Sequence, residues 1–373
     1  MKKRILSLGV ATLGLVASVG LASCGGNNSA TLKYKDANGA EQEVKVEKTS
    51  DKKQVANIIE ALNYTAYNSQ AKTDLTKFGL SGSVKAKANV AIAEGMSIVL
   101  DADENLSLIA QLGEVKENGT ITDIVNGLGL SLDLNGTTKL TTDLGALGKT
   151  KTEYKENINV YNGTDRLYVN LGLDTISTTG TTSESTTSTK TNIKGYVLKS
   201  GVMNTENPVD VNVEGYISTY NKLKEFNLFN MLGLKTSDFK TIDSYLSSSN
   251  LSLETIVNDY GIVVAEFKDG VATFEANLVG GGKLPFKGNL KASLGLNIET
   301  FIPTKVSCST TNLEVTVMDS LTVKVSDLNL NLSLNTNVVP TTISNTDEFN
   351  KDVTADIKSM IQKGSSVIGG FGF

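Results

Sequence analysis

Apolar residues recur at every second position over stretches far longer than an ordinary strand. Phe78, Leu80, Val84, Ala86, Ala88, Val90 and Ile92 share one parity, as do Leu128, Leu130, Leu132 and Leu134. The pattern returns in Leu284, Phe286, Leu290, Ala292, Leu294, Leu296 and Ile298, and again from Leu328 to Leu334. A period of two places such residues on one face of an extended chain, whereas a helix would scatter them around its axis. The residues between them, Lys85, Lys87 and Asn89 for example, are polar. Successive segments of this kind, joined by short turns, build an antiparallel sheet with one wet and one greasy face. The greasy face then needs a cover.

The remaining segments supply one. Residues 31–50 read as a β-hairpin around Asn38-Gly39, whose positive φ angles suit a tight turn. Residues 51–70 carry Val55, Ile58, Ile59 and Leu62 at helical spacing, with Ser50 or Asp51 as a cap. Strands are expected over 76–214. Within them Met96–Leu100 and Leu106–Leu112 read as separate strands around a turn at Asp101–Asn105, and Asn157–Leu171 as a hairpin around Asn162-Gly163. The Thr/Ser tract at 175–192 is too polar to bury a core and reads as a mobile loop. A helical block follows at 216–259, with Leu223, Phe226, Phe229 and Leu232 on one face, then strands at 261–338, a final helix at 346–362 and a tail at 364–373. The expected fold is α+β and mostly β: a single domain over 51–363 whose long meandering antiparallel sheet curves into a half-barrel, with helices covering the concave face.

The N-terminus carries an address. Lys2, Lys3 and Arg4 precede an uncharged apolar run from Ile5 to Leu21, and Ala22-Ser23 lead into Cys24. This is the layout of a secretory signal peptide over residues 1–23. The cysteine directly after small residues resembles a bacterial lipobox. That resemblance implies cleavage before Cys24, a diacylglycerol on its thiol, and a flexible tether over 24–30. The expected location is the extracytoplasmic face of a bacterial membrane, held by lipid on Cys24.

Composition narrows the chemistry. Histidine is absent, so neither a Ser-His-Asp triad nor a His-ligated metal can form. The net charge of −5 disfavours nucleic acid. Asp101–Asn105 opens like a calcium loop, but Leu106 and Leu112 stand where the loop needs Gly and Glu. Cys308 reads as a small buried hydrophobe. Without histidine an enzyme would need a carboxylate pair, and no spacing singles one out, so no catalytic residue, metal or cofactor is expected; the chain is expected to be a monomer.

The order of elements resembles the LolA and LppX superfamily of lipid and lipoprotein carriers. Val160-Tyr161-Asn162-Gly163-Thr164-Asp165-Arg166-Leu167-Tyr168-Val169 is similar to that family's strand–turn–strand motif. The resemblance implies an acyl-chain cavity between sheet and helices, the block at 216–259 acting as a gate. Its lining would come from Leu128, Leu130, Leu132, Leu284, Phe286, Leu290, Leu294, Leu296, Phe226 and Phe229. The same residues could instead close a dry core, leaving a surface lipoprotein that contacts other proteins or the cell wall.

Overall fold

The computed structural model describes residues 28–36, 38–69, 72–116, 121–180, 184–202, 213–227, 244–281, 284–317, 321–357 and 359. The signal segment, Cys24 and Phe229 lie outside them, as does the tail at 364–373.

A two-stranded hairpin comes first, β1 (Ser29–Lys35) and β2 (Glu41–Glu47). Asp36 Oδ1 accepts from the N–H groups of Asn38 (2.8 Å) and Ala40 (3.0 Å), which locks the turn. β1 begins inside the segment expected to be tether, because Ser29 and Ala30 already pair with Glu47 and Val46. Helix α1 (Lys52–Ser69) follows, and Asp51 is its cap, accepting from Gln54 N–H at 2.8 Å.

The large sheet is built from β3 (Lys77–Ala93), β4 (Met96–Gln111), β5 (Gly129–Asp143), β6 (Lys149–Asn162), β7 (Arg166–Gly180) and β8 (Glu184–Leu198). Its later strands are β9 (Val263–Lys268), β10 (Val271–Gly281), β11 (Leu284–Asn297), β12 (Pro303–Val317) and β13 (Leu321–Asn335). The 11 strands pair in the order β8-β7-β6-β5-β4-β3-β13-β12-β11-β10-β9, so β8 and β9 are edges and the sheet does not close into a barrel. Short helices α2 (Ile121–Gly127), α3 (Lys199–Val202), α4 (Val213–Lys224) and α5 (Leu253–Asp259) complete the α+β, mainly β chain.

Several segments depart from the sequence expectation. Asp101–Asn105 is not a turn but the middle of one 16-residue strand, β4. Asp101 and Asp103 stand opposite Lys87 and Lys85, so polar alternation continues the apolar alternation on either side. The Thr/Ser tract is not a loop either. Thr175–Gly180 and Glu184–Asn192 form the far ends of β7 and β8, paired residue by residue. Threonine is β-branched, and cross-strand Thr pairs such as Thr178 and Thr186, with hydroxyl oxygens 3.2 Å apart, stabilise a ladder that buries no core.

The helical block breaks early. α4 ends at Lys224, and Phe226 instead exchanges backbone hydrogen bonds of 2.9 and 3.0 Å with Thr73. Val213, expected at the end of the strands, opens α4. The C-terminal helix expected from 346 is a 3-10 turn at Asp347–Phe349, a bridge from Asp352 to Tyr196, and helix only from Thr354.

Two compact units emerge. In one (Met1–Asp74, Lys224–Val315, Asn329–Leu332), α1 supplies Val55, Ile58 and Leu62 to a core completed by Leu32, Val264, Phe274 and Leu296. Ile58 and Leu296 are 0% exposed. In the other (Leu75–Leu223, Thr316–Leu328, Ser333–Phe373), Val160, Val169, Val197 and Val353 form a smaller core. Here the C-terminal segment wraps the upper part of β8. Tyr196 N–H donates to Lys351 O, and Val353 N–H donates to Tyr196 O. Gly195 permits this approach, since a Cβ there would lie 2.2 Å from Lys351 O.

Candidate functional site

The register from β3 to β8 sorts every side chain onto one of two faces, because directly opposed residues point the same way. One face carries two apolar rows. Leu80, Leu108, Leu132, Val160 and Val169 oppose one another in sequence across β3 to β7. Leu106, Leu134, Ile158, Leu171 and Ile193 form the second row across β4 to β8. Most of these residues are only half-buried, unlike the sheet residues under α1.

The strands place no lysine or arginine on this face between β4 and β8. Its charged residues there are Glu104 and Glu156, which flank Gly136 in one cross-strand row. Gly136 is a notch: a Cβ there would lie 1.9 Å from Glu104 Oε2. Glu104 Oε1 accepts from the Thr138 hydroxyl at 2.9 Å, whereas Oε2 is buried without a partner among the described residues. Burial, with the neighbouring Glu104 carboxylate adding to it, holds the Glu156 carboxyl above the usual glutamate range.

The opposite face is wet and charged. Lys85–Asp103 and Lys87–Asp101 pair at 3.7 Å, Lys139–Glu153 at 3.9 Å and Lys190–Asp174 at 3.2 Å. Asp133 accepts from Asn135 and Asn159, and Asn159 in turn from Asn170. A concavity of ≈ 840 Å³ opens here, lined by Lys85, Lys87, Asp101, Asp103, Lys139 and Glu153. A smaller one of ≈ 290 Å³ lies between Lys155, Asn170, Asp174 and Lys190.

The residues expected to line a cavity do not form one group. Leu130 and Leu132 lie on the apolar face and pack against the small core of their unit. Leu128 precedes β5, and its carbonyl accepts from the ammonium of Lys199, which is 3% exposed and also reaches Asn126 O at 3.3 Å. Leu284, Phe286, Leu290 and Leu294 are half-buried on β11 in the other unit, where Leu296 is wholly inside the core. Phe226 is half-buried beside Thr73. Cys308, also half-buried, faces Ala292 across β11 and β12, and burial pushes its thiol pKa up.

No family model, curated protein or solved structure matches this chain. The site therefore rests on its own geometry. Sequence reading does not single out these two residues: Glu104 lies in the segment Asp101–Asn105, which reads as a turn, and Glu156 stands in the mixed-charge run Lys151–Glu156, which reads as a surface strand edge. Parity was the available signal: Glu104 is in step with Leu106 and Leu108, and Glu156 with Ile158 and Val160.

Proposed function

We propose that this chain is a lipid-anchored extracytoplasmic protein that holds the acyl part of a lipid or lipoprotein against the apolar face of β3 to β8. The supporting observation is the contrast in burial. Under α1 the sheet residues are fully packed, whereas Leu80, Leu106, Leu108, Leu132 and Leu134 keep part of their surface open. An acyl chain needs area and no polar partner, and each methylene it buries contributes about 0.8 kcal/mol. The lack of positive charge on this face from β4 to β8 suits the tail of an amphiphile rather than its phosphate.

The test is native mass spectrometry of the detergent-extracted mature protein, followed by solvent extraction. A co-purifying lipid or acylated species that leaves on denaturation is the expected result. A clean apo mass that persists after incubation with membrane lipid extract overturns the proposal.

The polar concavity favours a second reading, a surface lipoprotein that presents its charged face to an envelope partner. Charge reversal at Lys85 and Lys87 would then abolish capture of that partner and leave lipid content unchanged.

A further inference from the structure

Among the described residues each edge strand of the large sheet is bridged at one residue, and β8, with 15 residues against 6 in β9, leaves the longer stretch without a partner. On β9, Val264 exchanges backbone hydrogen bonds of 2.9 and 3.0 Å with Thr49. On β8, residues 351–353 close only the part around Tyr196. Glu184 to Lys190 are all exposed, and no described residue pairs with their outer edge. This stretch contains no proline, glycine or bulge, and its pairing to β7 is continuous. A regular edge of this kind presents N–H and C=O groups to any strand that fits.

Its sequence, Glu-Ser-Thr-Thr-Ser-Thr-Lys, fits itself. Set antiparallel to a second copy with the two Thr187 residues opposed, Glu184 faces Lys190 of the second copy and Lys190 faces its Glu184. Ser185 then meets Thr189, and Thr186 meets Ser188. Opposite-charge pairs and Thr/Ser pairs are favourable cross-strand combinations. Lys190 is held in place by Asp174 on β7 and has further N–H groups to offer. We propose that Glu184–Lys190 of β8 form a two-fold antiparallel contact between two copies of this chain, centred on Thr187. The contact is isologous, so it closes at a dimer. Its small area makes the dimer weak and dependent on concentration. The proposal stands independently of the ligand reading.

Disulfide trapping tests it on the full-length protein in membranes, in a Cys308→Ser background. Thr187→Cys is compared with Ser185→Cys, Thr189→Cys and the parent. The expected dimer yield on mild oxidation is at least about tenfold higher at 187, where a residue meets itself, than at 185 or 189. Glu184→Lys or Lys190→Glu added to Thr187→Cys lowers that yield, and the double reversal restores it. Circular dichroism guards against misfolding of these exposed variants. Equal trapping at all three positions, no trapping, or loss without rescue by the double reversal overturns the proposal.

Discussion

Single residues on the apolar face carry the clearest pH signature. Glu156 holds its proton more tightly in the folded chain than in the unfolded one. Its contribution to stability is therefore fully present below the ordinary glutamate pKa and is lost as pH rises through the raised folded value. Glu156→Gln removes that loss. The variant is expected to gain on the wild type as pH rises above the ordinary glutamate range, until the folded Glu156 carboxyl has ionised. Urea unfolding midpoints of the two proteins across that range check the trend; a constant difference would count against it. Comparing the two proteins is essential, because Asp36, Asp143, Asp165 and Asp352 have lowered pKa values and make the whole chain weaker in acid. Lys199 acts differently. Its ammonium caps the carbonyls of Asn126 and Leu128 at the end of α2. Lys199→Ala leaves them bare and is expected to cost about 1–3 kcal/mol in chemical denaturation.

At the scale of elements, α1 and the long strands obey different rules. α1 depends on its cap and its packing. Asp51→Ala is expected to cost about 1 kcal/mol, read as a shift in the urea midpoint. Leu296, fully buried opposite α1, should cost about 2–5 kcal/mol when cut to Ala. Leu134 lies in an apolar row but is half-buried, so Leu134→Ala should cost less than half as much while reducing bound lipid. The strands persist where no core requires them. The far ends of β7 and β8 are Thr-rich, half-buried on β7 and exposed on β8, yet the ladder continues because each residue adds its backbone bonds to a neighbour already in place. Low hydrophobicity signals a loop only when no adjacent strand offers pairing, and a linear reading cannot see the adjacent strand.

For the whole molecule, the proposed lipid anchor predicts that Cys24→Ser loses the diacylglycerol mass and the membrane retention it confers, as mass spectrometry and fractionation would read. Long alternation in residues such as Phe78–Ile92 and Leu284–Ile298 was enough to read a mainly antiparallel sheet, because period two is a local property of extended backbone. Helix α1 and the place of the first hairpin were legible for the same local reason, although its connection runs from Asp36 to Ala40 rather than over the two residues Asn38-Gly39, with positive φ at Gly39 and none at Asn38. The lining residues were not, because parity assigns a face but not what lies over it: Leu296 and Leu132 look alike in sequence, and only packing makes one a core residue and leaves the other half open. Asp101–Asn105 and the Thr/Ser tract were misread because charge and low hydrophobicity mark solvent exposure, which turns share with the wet face of a strand. Local periodicity thus carries the class of fold and the alternation of its faces. Where strands end, how Glu104 and Glu156 come to flank Gly136, and which stretch of β8 has no partner among the described residues follow only from the folded chain, since each depends on hydrogen-bonded partners that are distant in sequence.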